Sequence, residues 1–344
     1  MNENNRAEPA LDEQYDVIVV GGGAAGLSAG LTLGRARRSV LVVDAGSPRN
    51  APAGHVHNYL AREGTPPLEL LAAGRAEVAQ YGGRVVSGTV VSAAPVVPAA
   101  EPNSPKKGQQ ADSPAGFSVL LADGRSVRGR RLLVTTGLVD ELPKVTGLEE
   151  RFGRDVLHCP YCHGWEVRDQ ALGILAGSPL AVHQALMFRQ WSNDITLFLN
   201  GRPEPTAEES EQLAARGITV VPGEVEAVVV DDDRVTGLRL RSGEVIARQA
   251  IVVGPRFAAR AEVLSSLGLA VSEQEMGGQV IGTYVAADAF GATSVPGVWV
   301  AGNVADPRAQ VISAAAAGVN VAAAINADLT AEETRQAVAA HRAR

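Results

Sequence analysis

The apolar positions near the start of the chain predict alternating strands and helices. An apolar strand at 15–20 leads into a glycine-rich turn at 21–26, and a helix follows at 27–37. A second apolar strand at 39–43 ends at Asp44. This order predicts an α/β fold whose parallel strands are buried on both faces.

The glycine turn has the spacing of a dinucleotide-binding site. Gly21 permits a tight turn, Gly23 lets the backbone approach a pyrophosphate, and Gly26 allows the helix to pack closely on the strand. The helix N-terminus then faces the phosphates, and Asp44 is placed to accept a hydrogen bond from a ribose hydroxyl. The residues assigned to this turn are Gly21, Gly23, Ala24, Ala25 and Gly26.

The pattern after residue 82 predicts a β-rich region and a C-terminal helical region. Strands are expected at 84–91, 117–121, 126–127 and 130–134. Residues 93–116 are dense in Pro, Ala, Ser and Gly, which predicts a flexible insertion. An Ala-rich helix is expected at 311–325, and the capping-box spacing of Thr330 and Glu333 predicts a separate, short final helix.

A second α/β unit lies in the middle of the chain. The pattern predicts a strand, a helix and a strand at 171–176, 180–191 and 194–199, followed by four further strands to residue 253. We therefore expect two Rossmann-like domains, with the second inserted into the first. The expected boundaries are 1–139, 140–254 and 255–344.

Composition restricts the function classes. The net charge of −7 leaves no basic stripe for nucleic acid. No targeting signal or uninterrupted membrane-spanning stretch is visible, so we expect a cytoplasmic protein that does not enter a membrane. In that compartment a lone pair of cysteines is typical of catalytic or metal-binding use.

The two cysteines stand in the sequence HCPYCHGWE, as Cys159 and Cys162, between His158 and His163. Because no other cysteine exists, the chemistry open to this pair is thiol–disulfide exchange. A helix start at Pro160 would favour the thiolate of the first sulfur. Zinc is disfavoured, since neighbouring side chains rarely surround one metal and no second C-x-x-C exists, so no metal site is predicted.

From about residue 15 to 326 the chain resembles the low-molecular-weight thioredoxin reductase family of flavoproteins. The resemblance rests on the glycine turn with Asp44, the strand that ends in Thr-Thr-Gly, the C-x-x-C, and the VWVAGN segment before the last long helix. It implies FAD at the glycine turn and a homodimer. It also implies a cofactor site that includes Val90, Thr136, Gly137, Gly302, Asn303, Gln310 and Val311. Asn303 stands where the family usually has aspartate.

The inserted domain departs from the NADPH-using members of that family. The turn after its first strand, at 176–181, has lost two of the three glycine positions and contains Pro179, which cannot donate a backbone hydrogen bond. No arginine pair follows the next strand, although Arg202 is close by. We therefore predict a degenerate second nucleotide site.

The HCPYCHGWE motif closely resembles that of NADPH-independent dithiol oxidases, which close disulfides in natural products of the gliotoxin, holomycin and romidepsin types. The resemblance implies that electrons pass from a small-molecule dithiol to FAD and then to oxygen, which yields hydrogen peroxide. It places Cys162 against the flavin and Cys159 outside, facing the substrate. It also places Arg49 and His55 near FAD.

Two histidines beside the cysteines are the candidate proton carriers. His163 stands where thioredoxin reductases carry an acid–base residue, and His158 is a second candidate. Two other functions stay open: a disulfide reductase fed by NADPH, ferredoxin or another donor, and a non-catalytic flavoprotein redox sensor. A small-molecule disulfide or a protein dithiol is the alternative substrate.

Overall fold

The computed structural model describes residues 14–96, 115–178 and 180–344. Most of the predicted insertion, residues 97–114, lies outside the described residues, as does Pro179. The insertion was placed too early, because Ala93–Pro95 belongs to a strand that pairs with the strand beginning at Phe117.

The first sheet has the strand order β3 (Arg84–Ser87), β2 (Val40–Asp44), β1 (Gln14–Val20), β6 (Ser126–Val134), β5 (Phe117–Leu121) and β4 (Val90–Pro95), and β19 (Val298–Val300) also pairs with β6. Apolar side chains cover both of its faces, which explains the nearly continuous hydrophobic runs in β1, in β2 and at the end of β6. The elements up to residue 141 are β1 (Gln14–Val20), α1 (Ala24–Arg35), β2 (Val40–Asp44), α2 (Pro67–Gln80), β3 (Arg84–Ser87), β4 (Val90–Pro95), β5 (Phe117–Leu121), β6 (Ser126–Val134) and β7 (Leu138–Glu141).

Two strand predictions in this region were wrong. The expected strand at 84–91 is two strands, because β3 pairs with β2 while β4 pairs with β5 at the other end of the strand order. The expected strands at 126–127 and 130–134 are one strand, β6. Its first half pairs with β5 and its second half with β19, so its polar residues do not interrupt it.

The inserted region contains a parallel sheet of order β11-β10-β9-β15-β8 and a separate three-stranded sheet, β12-β13-β14. Apolar clusters pack on both faces of the parallel sheet. The elements are α3 (Leu148–Arg151), β8 (Val156–Leu157), α4 (Pro160–His163), β9 (Leu172–Leu175), α5 (Ala181–Phe188), β10 (Ile195–Phe198), α6 (Ala207–Ala215), β11 (Thr219–Val221), β12 (Val225–Asp231), β13 (Arg234–Leu240), β14 (Val245–Ala247) and β15 (Ala250–Val253).

A fourth sheet of order β17-β18-β16-β7 combines strands from before and after the inserted region. Strand β7 leads into that region and β16 follows it, and the two pair antiparallel, with Asp140 opposite Phe257. The remaining elements are β16 (Arg256–Ala259), α7 (Glu262–Ser265), β17 (Val271–Met276), β18 (Gln279–Val285), β19 (Val298–Val300), a short 3-10 helix (Gly302–Val304) and α8 (Val311–Arg342).

Helix α8 corrects the prediction of a separate final helix. It runs unbroken over 32 residues, and the Thr330 hydroxyl donates to the carbonyl of Asn326 within the helix instead of capping a new one. No Gly or Pro follows Gly318 within the helix. Glu333 also pairs with Arg38 and Arg130, which fixes the last turns against the first sheet.

Helix α8 is the one helix in the described ranges whose length and composition would suffice to cross a membrane. Its buried side packs against α1 at close range: a Cβ built on Gly318 would lie 2.0 Å from the carbonyl oxygen of Ala25. The buried apolar residues of α8 therefore belong to the core beside the first sheet, whereas Ile312, Val319 and Val338 are exposed.

Candidate active site

The carboxyl ends of four parallel strands meet at one edge of the first sheet. Val20 is in register with Val43 and Val134, and Val134 with Val300. The residues that follow these positions are the glycine turn, Asp44, the Thr-Thr-Gly segment and the 3-10 helix. This edge is where open parallel sheets bind their ligands.

The glycine turn has the contacts that the spacing predicted. Gly21 has φ of +108°, which a side chain rarely adopts, and a Cβ on Gly26 would lie 1.9 Å from the carbonyl oxygen of Gly21. A Cβ on Gly23 would meet no protein atom within 4 Å, because this glycine faces open space at the start of α1. The Thr135 hydroxyl supports the turn by hydrogen bonding to the carbonyls of Val20 and Gly21.

A cavity of about 1540 Å³ runs from this turn to the cysteine pair. The predicted cofactor residues that line it are Gly21, Gly23, Ala24, Ala25, Asp44, Arg49, His55, Val90, Thr136, Gly137, Gly302, Asn303, Gln310 and Val311. Gly26 does not line it and acts in helix packing. The open backbone at Gly23, the adjacent carboxylate and the size of the cavity fit FAD: the start of α1 would hold the pyrophosphate and Asp44 a ribose.

Four of these residues already use side-chain polar groups within the protein, and one of them is Asp44, which accepts a hydrogen bond from the backbone N–H of Gly46. The Thr136 hydroxyl donates to the carbonyl of Arg260, and Arg49 forms two hydrogen bonds with Asp140. The Asn303 amide nitrogen donates to the carbonyls of Asp306 and Ala309. An aspartate in that position could not donate these bonds, which gives the family departure at Asn303 a structural reason.

The cysteine pair forms a disulfide at the start of α4. Cys159 is the N-cap residue, and its sulfur accepts a hydrogen bond of 3.2 Å from the backbone N–H of Cys162. Both cysteines are half-buried and line the main cavity. The sulfur atoms are therefore reachable from the space that fits the cofactor and its substrate.

His158 is held as a neutral imidazole. The His158 ring meets the Phe257 ring edge-to-face, with 5.5 Å between the ring centres. The Arg49 guanidinium lies 5.4 Å from the centre of the Phe257 ring. Burial, reinforced by the nearby Arg49 charge, lowers the pKa of His158 to about 4. Both Arg49 hydrogen bonds to Asp140 are 2.6 Å long.

His163 lies at the end of α4 among other titratable side chains. Burial lowers its pKa; the Glu166 charge acts in the opposite direction, and His57 lowers the pKa further. The imidazole is therefore neutral at neutral pH and able to accept a proton from a thiol.

The turn that would hold a second nucleotide's phosphates borders the main cavity, and two of its residues make contacts within the protein. Leu180 packs against an apolar cluster of Leu138, Phe257 and Ile281 from the fourth sheet. Arg202 donates a hydrogen bond to the carbonyl of Gly177 inside this turn. A phosphate here would meet a leucine and a guanidinium that already has a partner.

Sequence reasoning missed Asp140, His57, Glu63 and Glu166. Asp140 lies within the four-residue strand β7, but its partner Arg49 is 91 residues away and no local pattern indicates it. Glu166 ends the HCPYCHGWE motif, but the sequence indicated no role for it. Among the described residues, no group of three or more His, Cys, Asp or Glu side chains could hold a metal ion.

A glycine turn that fits FAD, in one cavity with a disulfide, defines a flavoprotein disulfide oxidoreductase. Residues 15–319 match the family model described as pyridine nucleotide-disulphide oxidoreductase, and the chain belongs to this family. It is a thioredoxin reductase-like enzyme that acts on disulfide or thiol groups, and FAD is its cofactor. The expectations of family, α/β fold and cofactor are thus confirmed.

Individual relatives resemble the chain over nearly its whole length. A thioredoxin reductase sirT of Leptosphaeria maculans is 30% identical over 327 residues, which cover 91% of this chain and 93% of the relative. A thioredoxin reductase of Aquifex aeolicus is 28% identical over 333 residues, which cover 94% of this chain and 95% of the relative. The crystal structure of HlmI is 43% identical with a TM-score of 0.85, and covers 96% of this chain and 97% of that one.

Proposed function

We propose that this flavoprotein is a dithiol oxidase, which forms a disulfide in a small-molecule dithiol and passes the electrons to oxygen. The observation that carries this proposal is the turn at 176–181. Its Leu180 is packed into an apolar cluster, and its Gly177 carbonyl is bonded to Arg202. These contacts support an enzyme that takes its electrons from a source other than a nicotinamide cofactor at this turn. The disulfide in the main cavity can accept electrons from a thiol substrate.

The chain supplies the groups that thiol–disulfide exchange requires. Neutral His163 accepts the proton of one substrate thiol, and the thiolate attacks the sulfur of Cys159. The Cys159–Cys162 bond breaks, a substrate–Cys159 disulfide forms, and Cys162 leaves as a thiolate. The second substrate thiol loses its proton and attacks the substrate sulfur of that mixed disulfide, which releases the disulfide product and Cys159.

The overall reaction is balanced. FAD, when bound, supplies a two-electron acceptor that restores the Cys159–Cys162 disulfide and reduces oxygen to hydrogen peroxide. One dithiol and one oxygen molecule are consumed, and one disulfide and one hydrogen peroxide are formed. The two protons that leave the substrate equal the two that oxygen gains.

His158 has a different role from His163 in this proposal. Its low pKa keeps the imidazole uncharged beside Cys159 at neutral pH. The Gln184 side chain donates a 3.1 Å hydrogen bond to the His158 carbonyl, which fixes the backbone that enters the disulfide. His158 therefore positions the outer sulfur without adding charge near the attacking thiolate.

The test is aerobic turnover with dithiothreitol as the probe dithiol, followed by oxygen consumption and peroxide release. We expect one oxygen consumed and one peroxide formed per disulfide, without added nicotinamide cofactor. Cys162→Ser removes the inner sulfur and is expected to abolish turnover, whereas His341→Gln, at the exposed end of α8, is expected to leave it unchanged. No oxygen uptake with dithiol, together with NADPH-dependent disulfide reduction, would establish the competing reductase.

The proposal also includes a homodimer located in the cytoplasm, as the sequence and the family resemblance led us to expect. Sedimentation of the FAD-loaded protein tests the assembly, and a monomeric mass would contradict it. Cell fractionation tests the location.

A further inference from the structure

A second, smaller cavity of about 320 Å³ is lined by several titratable side chains, most of which have no role in the proposed chemistry. It is lined by His163 together with His55, His57, Arg154 and Glu166, and neither cysteine lines it. One side of the proton acceptor His163 therefore faces a space that neither cysteine lines, while His55, His57 and His163 also line the main cavity.

His57 stands between two carboxylates at this cavity. Its Nδ1 lies 2.6 Å from Oε1 of Glu63, and its Nε2 lies 3.4 Å from Oε1 of Glu166. An imidazole can take a proton on one nitrogen and release one from the other. The side chains are 39% exposed at Glu166, 18% at His57 and 65% at Glu63, so Glu63 is the group of the three with the most contact with solvent.

The loop that carries His57 is tied to the helix that carries the disulfide. The Asn58 side-chain amide donates a 2.6 Å hydrogen bond to the carbonyl of Tyr161, in the middle of α4. The backbone N–H of Asn58 donates to the second oxygen of Glu63, at 2.8 Å. Both ends of the Glu63–His57 pair are thereby held in place relative to α4.

We propose that His57 is a positioning residue that acts through His163 by carrying the substrate's protons from the Glu166 side of this cavity outward to Glu63. The inference rests on the proposed dithiol oxidation, in which two protons leave the substrate for each disulfide formed. His163 must release each proton before it can accept the next. The groups that face His163 in this region are Glu166, His57, His55 and Arg154.

The test compares His57→Gln with His341→Gln, a matched substitution at an exposed histidine far from the site. The glutamine retains a hydrogen-bonding side chain but cannot carry a proton. We expect anaerobic dithiol-driven flavin reduction to slow about tenfold or more, and added imidazole to restore part of the rate. A purely structural loss would not respond to imidazole. An unchanged rate would overturn the inference.

A second readout does not depend on turnover. His57 lowers the pKa of His163, so an NMR titration of the resting protein should show a higher His163 pKa in His57→Gln than in the wild type. An unaltered His163 titration would contradict the proposed arrangement. If His57→Gln does not fold, Glu63→Gln keeps the imidazole and removes only the outer acceptor, and it should also slow flavin reduction.

The two proposals fail in different ways. A wild-type protein that does not oxidise dithiols refutes the proposed function, whatever the variants do. A wild-type protein that oxidises dithiols at a rate unaffected by His57→Gln refutes only the proton path.

Discussion

The buried ion pair between Arg49 and Asp140 leads to a quantitative prediction. The Asp140 side chain is 8% exposed and that of Arg49 is 26% exposed, and two hydrogen bonds of 2.6 Å join them. Asp140→Asn leaves a guanidinium without its counter-charge, and breaking a buried pair in this way costs about 3–5 kcal/mol. Because Arg49 keeps some contact with water, we expect the lower end, about 3 kcal/mol of unfolding free energy.

The double variant Arg49→Met with Asp140→Leu distinguishes the free energy of the Arg49–Asp140 pairing from the contacts that each side chain makes with other residues. Apolar side chains of similar size leave no unpaired charge, so we expect the double variant to be within about 1 kcal/mol of the wild type. The loss in the double variant would then be smaller than the sum of the losses in Arg49→Met and Asp140→Leu.

The assay is urea unfolding of the wild type, Asp140→Asn, the two single variants Arg49→Met and Asp140→Leu, and the double variant, followed by circular dichroism with and without bound FAD. The reasoning is refuted if the two single losses simply add in the double variant. FAD retention by Arg49→Met tests separately the sequence prediction that Arg49 contacts the cofactor. Retention at the wild-type level would show that its role is the bond to Asp140.

Three further predictions concern the same site. First, the pKa of His158 is lowered in the fold, so the unfolded chain binds more protons between about pH 4 and 6.5, and the unfolding free energy should fall by up to about 3 kcal/mol as the pH drops through that range. His158→Gln should flatten this dependence in unfolding measurements at pH 7 and pH 4.5, and an unchanged slope would count against it. Second, Gly26→Ala should destabilise the apoprotein, because the new Cβ would meet the backbone of Gly21. Gly23→Ala should leave the unfolding of the apoprotein unchanged and weaken FAD binding, because its Cβ meets no protein atom. Calorimetry and flavin titration check both variants, and equal effects would contradict the assignment of Gly23 to the cofactor site. Third, Glu166→Gln should lower the pKa of His163, since the carboxylate raises it, and an NMR titration that moves upward would contradict this.

The parts of the fold that could be predicted from the sequence are those with local causes. The glycine turn, β1, α1 and β2 follow from hydrophobic periodicity and from backbone contacts only glycine allows. The division of 84–91 into two strands depends on which distant strands β3 and β4 pair with. The unbroken α8 depends in part on Glu333 pairing with Arg38 and Arg130, which a capping-box pattern does not reveal.

The same distinction applies to the site. The cysteines, their bracketing histidines and the glycines stand in short motifs, so the sequence alone indicated them. Arg49 and Asp140, or His57 and Glu166, are about a hundred residues apart and acquire meaning only through the fold. The loss of glycines from the turn at 176–181 was visible in the sequence, but the packing of Leu180 against the fourth sheet was not.

The central claim is that electrons enter from a thiol substrate at Cys159 and Cys162. The most direct test mixes the oxidised, FAD-loaded protein anaerobically with NADPH and, separately, with dithiothreitol, and follows the flavin absorbance. The account predicts rapid bleaching by the dithiol, none by NADPH, and peroxide formation when air is admitted. Rapid bleaching by NADPH would contradict it.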